Sequence, residues 1–483
     1  MDVSDALRVE YHTGESFADV RVPSESAFYS PGAMERVGLP VGGSIWQLLA
    51  EFHEARRISG PDLPDLPFLG GFMGYITYEQ GLAGIGVRLA EQHRGHRRPD
   101  VCLAWVTRSI VIDHVKGLLH VQELRPRPGK RQDWIESTVA RLQASQMWKA
   151  AASPLPPLSN KFPGASIQTP AADEYEDKVK ICQEFIAAGD SYELCLTDQT
   201  IITRCPRRRS PTTPTSVPNG SHRNSKAAAK PAADDSWDLY RTLRTKQPAP
   251  FASYIRLGPA TLISSSPERF LQHDRAGLCS MKPMKGTVRK SGAVATLAQA
   301  EALLHVPKEE AENLMIVDLV RHDLHGVCGA GNVCVPHLLV VEEYQSVFTM
   351  ITVVEGRLPE PEAEGEGEGA ATRHTGLDVL AASLPPGSMT GAPKKRSCEL
   401  LQEIEGRRER SLYSGVVGYM CVSGRGDWSV TIRSMFRWDD EGDDEGKEVW
   451  RVGAGGAVTI LSTPEGEREE MFTKLGGPLS IFS

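Results

Sequence analysis

Apolar residues along this chain recur with two periods, and neither runs through the whole sequence. Val101–Thr107 and Ser109–Asp113 (VCLAWVT, SIVID) concentrate β-branched and aromatic side chains and predict strands. Phe251–Leu257, Val347–Glu355, Ser429–Phe436 and Glu448–Val452 predict strands for the same reason. Ala171–Ala188, Thr296–Leu304, Lys308–Leu319 and Ala392–Glu403 space their apolar residues as amphipathic helices do. Strands and helices do not alternate regularly, and short strands cluster before turns. The pattern predicts an α+β fold of antiparallel sheets flanked by helices, not a doubly wound parallel sheet.

Three stretches fit neither period. Residues 204–235 (RCPRRRSPTTPTSVPNGSHRNSKAAAKPAADD) hold almost no large apolar side chain and predict a disordered insertion. Residues 359–371 and 439–448 are rich in Gly and acid and predict solvated loops. Across 483 residues, 54 Lys and Arg face 62 Asp and Glu, a formal charge of −8, so nothing favours nucleic acid or an anionic membrane as partner. Arg207–Arg209 lack interleaved aromatics and read as solvated charge. No apolar run reaches membrane-spanning length. Asp2, Asp5, Glu10 and Glu15 interrupt any leader-like apolar core. The cytoplasm is the expected compartment. The 9 cysteines are scattered without a C-x-x-C pair and read as small buried hydrophobes in a reducing compartment.

Several clusters carry candidate chemistry. Glu309 and Glu312 lie one turn apart on a predicted helix, and Glu467 and Glu470 repeat that spacing, with Lys474 a further turn along the same face. Such pairs usually mark a solvated helix face, yet one or two carboxylates suffice for Mg²⁺ when water and substrate supply the remaining oxygens. Gly453-Ala454-Gly455-Gly456 follows a predicted strand and reads, by itself, as a turn whose N–H groups suit an anion. Lys285, in KPMKGT, sits on constrained backbone where a desolvated amine becomes a nucleophile. Upstream, SSSPERF places the carboxylate of Glu268 before a strand.

These motifs occur in the order SSSPERF, PMKGT, AENLMIVDLVRHDL, GSMTGAPKKRS, SLYSGVVGY, TIRS, VGAGGA and EGEREEMFTKL. In that order they resemble the chorismate-utilising enzymes, which include anthranilate synthase component I, aminodeoxychorismate synthase component I, isochorismate synthase and salicylate synthase. The resemblance runs from about Ala171 to Ser483, with a weaker echo in Pro67–Glu79 and Pro99–His114. It implies an N-terminal region of the anthranilate synthase component I type over 1–145 and a chorismate-binding catalytic region over 171–480. The implied fold is two large antiparallel β-sheets packed as a sandwich and surrounded by helices, with the site in a cleft. Carried over by motif, Glu312 and Glu470 become Mg²⁺ ligands, and Glu309 and Glu467 hold metal-bound waters behind them. Arg433 takes the enolpyruvyl carboxylate, and Tyr413 is the substrate tyrosine. Gly453 and Gly455 offer backbone N–H groups, with Ala454 between them in the same substrate-binding stretch. Lys474 adds a cation, and Gly286 and Thr287 line the ring pocket.

One position divides the family. Anthranilate synthases look like P-I-A-G-T and aminodeoxychorismate synthases like P-I-K-G-T; Lys285 makes this chain similar to the latter. That similarity implies amination of chorismate by ammonia to 4-amino-4-deoxychorismate, on the way to 4-aminobenzoate and folate. Lys285 would add to C2 as the C4 hydroxyl leaves, protonated by Glu268; ammonia would then enter at C4 and expel the lysine. The helix–turn stretch 189–197 (GDSYELCLT) also resembles this branch, with Glu193 where isochorismate and salicylate synthases carry a water-activating lysine. Thr349 stands in place of a family histidine, His322 varies an R-N-D motif, and Leu461 replaces an aspartate. The rival readings are an anthranilate synthase component I and a catalytically silent, amidotransferase-binding subunit. No segment reads as a glutamine amidotransferase, whose cysteine needs a strained strand-to-helix elbow. The nearest mimic, Gly326-Val327-Cys328-Gly329, lies inside the chorismate-binding stretch. Ammonia is therefore expected from an amidotransferase partner, as a separate subunit or a fused domain.

Overall fold

The computed structural model describes residues 6–22, 33–60, 63–89, 94–125, 133–145, 165–205, 235–345, 347–359, 374–442 and 446–482. Two large sheets dominate them, one of 12 strands and one of 7. The larger runs Met284–Arg289, Val347–Arg357, Leu278–Met281, Arg269–His273, Gly426–Val430, Val416–Cys421, Gly71–Ile76, Val101–Val106, Leu7–Tyr11, Phe17–Arg21 and Met34–Gly38, with Val333–Glu343 also pairing with Val347–Arg357. The smaller runs Phe251–Leu257, Ala260–Ser266, Ser434–Trp438, Glu448–Val458, Glu193–Arg204 and Gly391–Ala392, with Ser166–Gln168 also pairing with Glu193–Arg204. Pairings within both sheets are antiparallel, including the one that joins the N-terminal strand Gly71–Ile76 to Val416–Cys421.

The period of two in the smaller sheet feeds two cores. Leu262 and Phe436 point into the space between the sheets, where Tyr75 and Trp438 meet edge to face with centroids 6.1 Å apart. Their neighbours Ile263 and Met435 point the other way, into a second core beneath the helices Ala172–Ala187, Ser236–Lys246, Lys394–Ile404 and Pro464–Leu479. The sandwich and its helical cover match the α+β architecture expected from the pattern. No helix of the described residues is long and apolar enough to cross a membrane.

Several local expectations change. Ser429–Phe436 is not one strand: Gly426–Val430 belongs to the larger sheet and Ser434–Trp438 to the smaller, and the chain crosses between them through Arg433, at φ +52°. Gly453–Gly456 is not a turn but the interior of Glu448–Val458. In the stretch 189–197, strand begins at Glu193. The helix predicted from Lys308 runs Pro307–Cys328, opened by a proline in its first turn and closed at Gly329, φ +81°. Cys328, in its last turn, is a buried thiol and no elbow nucleophile, while Cys205 and Cys334 are exposed rather than buried.

Residues 206–234, 360–373 and 443–445, the bulk of two predicted loops and part of the third, lie outside the described residues. The ends of these segments are structured. Arg204 closes a strand, Asp235 caps the helix Ser236–Lys246, and Glu448 opens a strand. The three meet as a buried ion cluster, Arg204 touching Asp235 and lying 2.9 Å from Glu448. The expected insertion is therefore shorter than 204–235. Arg204→Met is expected to cost about 3–5 kcal/mol, because it removes the cation that Asp235 and Glu448 share inside a buried cluster. Replacing 206–234 by a short Gly/Ser linker is expected to leave stability nearly unchanged. Urea unfolding checks both, and an unmoved midpoint for Arg204→Met contradicts the first.

Candidate active site

The candidate site forms where two strands pass between the sheets side by side. Ala260–Ser266 leaves the smaller sheet and continues through Pro267 and Glu268 into Arg269–His273 of the larger. Gly426–Val430 makes the reverse crossing through Thr431, Ile432 and Arg433. Chain that leaves a ladder loses its regular partners, and here serine hydroxyls replace some of them. Ser266 Oγ donates to Val430 O at 2.6 Å, and Ser434 Oγ donates to Ser264 Oγ at 2.8 Å. The Val430 N–H donates to Glu268 O at 3.2 Å, and the Ser265 N–H to Arg433 O at 3.3 Å.

Both crossings deliver a charged side chain. Glu268 is buried, its Oε1 accepting from Ser388 Oγ at 2.7 Å. Burial pushes its carboxyl up to about 7, against the Ser388 hydrogen bond and the charges of Lys285 and Lys474. An acid so placed keeps its proton near neutrality and can donate it. Burial lowers the pKa of Arg433, partly offset by Tyr413 and Glu470, and its guanidinium has no ion-pair partner among the described residues.

Lys285 enters from the larger sheet at a bulge. Register shifts between Lys285 and Thr287, and Gly286 between them has φ +76°, a conformation that favours glycine. A side chain at Gly286 would also meet Glu309 Oε2 at 2.8 Å. Thr349 Oγ1 secures the bulge, donating to Gly286 O at 2.8 Å and lying 3.1 Å from Thr287 Oγ1. The Lys285 ammonium donates to Glu193 Oε1 at 3.2 Å and lies 3.7 Å from Glu312 Oε2. Burial alone would lower its pKa, but Glu193 and Glu312 outweigh burial and raise it. Burial likewise pushes Glu312 up to about 7, against Lys285 and aided by Glu193.

The helix Pro464–Leu479 supplies the opposite wall. Ser462 Oγ holds Glu467 Oε1 at 2.6 Å; Lys474 pairs with Glu470 at 2.5 Å and donates to Gly455 O at 2.7 Å. The glycines of Glu448–Val458 permit close approach: a Cβ at Gly456 would meet Glu467 Oε2 at 2.5 Å, and one at Gly453 the Tyr413 ring at 2.2 Å. The Gly455 carbonyl accepts from Lys474 and the Thr197 N–H donates to Glu405, so this opposed pair shares no ladder bond. Gly455 thus turns its N–H away from the neighbouring strand.

No three acidic, His or Cys side chains among the described residues form a ready-made metal cluster. Mg²⁺ requires less than that, and the donor set fits it. Glu467 Oε2 is buried without a hydrogen-bond partner among the described residues, and Glu312 is a buried carboxyl that burial raises, with Glu193 and Glu309 opposing Lys285 and Lys308 around it. Lys308 lies 3.8 Å from Glu312 and its charge also reaches Glu467 and Glu470, which puts both acid pairs around one space.

The structure therefore gathers Lys285, Gly286, Thr287, Glu268, Glu309, Glu312, Tyr413, Arg433, Gly453, Gly455, Glu467, Glu470 and Lys474 around one cleft. Ala454 departs from the expected set: its methyl belongs to the core beneath the helices, because alternate positions of a strand face opposite ways. Sequence reasoning gave no role to Ser388 or Lys308, although Ser388 lies inside the quoted GSMTGAPKKRS and Lys308 opens a predicted helix.

With fold and geometry in place, comparison identifies the class. The family model for chorismate binding enzymes matches residues 21–211 and 224–480, and the chain belongs to that family. Aminodeoxychorismate synthase of Saccharomyces cerevisiae is 35% identical over 475 residues, covering 94% of this chain and 54% of that protein. Aminodeoxychorismate synthase component 1 of Klebsiella aerogenes is 30% identical over 417 residues, covering 85% and 77%. The chain spans about half the length of the fungal relatives it matches. Anthranilate synthase component I from Streptococcus pneumoniae shares the fold, with a TM-score of 0.67 at 22% identity, covering 99% of this chain and 90% of that one.

The raised pKa of Glu268 has a thermodynamic signature. A carboxyl whose folded value of about 7 exceeds its ordinary 4.5 stabilises the fold while protonated and loses that contribution as pH rises through 7. Relative to Glu268→Gln, neutral throughout, the wild-type chain is expected to lose about 2–4 kcal/mol between pH 4.5 and 8. Urea unfolding of both proteins across that range tests this, and a pH-independent difference contradicts it.

Proposed function

We propose that this chain aminates chorismate at C4, giving 4-amino-4-deoxychorismate, with Lys285 as covalent nucleophile and Glu268 as general acid. The observation that supports this reading most directly is the pairing of a buried lysine, fixed on a bulge and held by Glu193, with a buried acid able to keep its proton near neutrality. The relatives' names point the same way.

The Lys285 ammonium must first release a proton, and Glu193, at 3.2 Å, is the acceptor in contact. The amine then bonds to C2, the ring double bonds shift, and the C4–O bond breaks with its electron pair. Glu268 gives the departing hydroxyl the proton that makes it water. Ammonia bonds to C4, the double bonds shift back, and the C2–N bond breaks, returning its pair to Lys285. Two allylic displacements replace one direct exchange of hydroxyl for amine. Arg433, without a protein counter-ion among the described residues, suits a substrate carboxylate as a planar fork. Glu312 and Glu470 would hold Mg²⁺, backed by Glu309 and Glu467; the ion would neutralise a substrate carboxylate and fix the ring. Ammonia would come from a glutamine amidotransferase, as a partner or as the further part of a longer protein like the fungal relatives.

Lys285→Ala is expected to lower product formation by orders of magnitude while the melting temperature barely moves. Glu268→Gln is expected to lower it roughly 10²–10⁴-fold. Mass spectrometry of the products of purified chain, chorismate, Mg²⁺ and ammonium salt measures both. Wild-type rates in Lys285→Ala, or anthranilate and pyruvate as the products, overturn the reading. Excess chelator, Glu312→Gln and Glu470→Gln are each expected to abolish turnover with the fold intact, and full turnover in chelator removes the metal from the scheme.

A further inference from the structure

We propose that Arg410, gripped by Glu405, is a positioning residue for the general acid: its guanidinium fixes the short turn Gly387–Met389, whose Ser388 holds Glu268. The inference rests on the amination reading above for what Glu268 does, and it assigns a task to a buried ion pair behind the site.

Arg410 is 3% exposed and Glu405 6%, and the pair is bidentate: Arg410 Nε donates to Glu405 Oε2 at 2.9 Å and Nη2 to Oε1 at 2.5 Å. The rest of the fork goes to backbone and to a serine. Nη1 donates to Met389 O at 2.8 Å and lies 3.5 Å from Ser414 Oγ; Nη2 also donates to Cys195 O at 2.8 Å. All five donors of the guanidinium therefore have acceptors, and the Tyr78 ring covers it, the centroid 4.5 Å away. No donor is left over for a ligand. Glu405 is held in turn, its Oε1 accepting from the Thr197 N–H at 2.9 Å and from the Thr197 hydroxyl at 3.0 Å.

These bonds join two pieces of chain that share only a short ladder. The strand Gly391–Ala392 pairs with Leu194 and Glu193 alone, so the edge from Cys195 to Thr197 needs other partners. The Cys195 N–H donates to Thr390 O at 2.7 Å; Arg410 takes the Cys195 carbonyl and Glu405 the Thr197 N–H. The other arm of the fork grips Met389, one residue after Ser388, and Ser388 Oγ donates to Glu268 Oε1 at 2.7 Å. One rigid plane thus sets how far the turn that carries Ser388 stands from the strand edge. A buried ion pair contributes little net stability, so the geometry it enforces is its more informative property. Lysine carries the same charge without the planar fork and cannot hold Met389, Cys195 and Glu405 together.

The test is a double-variant cycle on Arg410→Lys and Ser388→Ala, with chorismate, Mg²⁺ and ammonium salt present. Each is expected to lower kcat about 10-fold with both KM values nearly unmoved, and the double variant to fall no further than either alone. Losses that multiply overturn the assignment, as does wild-type kcat in either single variant. A second readout needs no turnover. Facing Glu268, the Ser388 hydroxyl and the charges of Lys285 and Lys474 oppose the upward push of burial. Displacing the hydroxyl lets the carboxyl rise further, so the pH range over which its contribution to stability is lost extends upward. Urea unfolding across pH, each protein against its Glu268→Gln counterpart, is expected to show that extension in both variants. Its absence in Arg410→Lys marks a merely structural arginine and overturns the assignment. Where Arg410→Lys does not fold, Arg410→Met combined with Glu405→Gln removes both buried charges and takes its place. An unmoved range in Ser388→Ala overturns the assignment without any arginine variant. Anthranilate and pyruvate as products, or no turnover, count against the amination reading, while the pH range still decides Arg410.

Discussion

The whole site depends on two neighbouring chain crossings between the sheets. Where Ser266 leads to Glu268 and Val430 leads to Ser434, each chain must leave one ladder before it joins the other. Buried backbone groups stranded in such a gap would be costly, and the two crossings partly satisfy each other through serine hydroxyls and two backbone bonds. Ser264, Ser265 and Ser266 are all buried, so they act here as short donors and acceptors and not as surface polarity. A bulkier residue would wedge the crossings apart; an alanine would leave a carbonyl unmet. Because Glu268 and Arg433 lie on the crossing segments themselves, the constraint that closes the sandwich also places the proposed general acid and a guanidinium without an ion-pair partner among the described residues.

Charge inside this seam is unbalanced, and the imbalance is informative. Glu193, Glu268, Glu309, Glu312, Glu467 and Glu470 share the site with Lys285, Lys308, Lys474 and Arg433. The fold tolerates the excess by letting burial raise Glu268 and Glu312 to about 7 and by holding Glu470 low through Lys474. Two of these acids are raised and the third is held low without differing in residue type. That separation is what a site needs to keep a proton on one carboxyl and offer anions from another. It also costs stability, as functional sites generally do.

How legible this was from the sequence depended on the range of the interaction. Phe251–Leu257 formed over its predicted residues because strand propensity is local. The acid pairs one helical turn apart were legible for the same reason: spacing along a helix dictates a shared face. The break at Arg433 was not, because Ile432 continues the apolar pattern and a positive φ at arginine leaves no local mark. Gly453–Gly456 misread as a turn because glycine usually ends strands. Here it admits the Tyr413 ring and the Glu467 carboxylate, both contributed from elsewhere in the chain. Motif order supplied what spacing could not, tying residues from Glu268 to Lys474 to one cleft.

Glu193 marks the limit of such reading. It is a lone acid among Leu194, Cys195 and Leu196, and its partner lies 92 residues away. The stretch around it marks the branch of the family, but its spacing and composition do not show that this carboxylate meets Lys285. Its meaning comes from three tertiary facts together: full burial, one oxygen on the lysine, and one oxygen without a hydrogen-bond partner among the described residues. A buried charge persists in a fold when removing its compensation costs more than keeping it. Lys285 compensates for one oxygen alone, and the other bears the cost of burial without a hydrogen bond from the described residues.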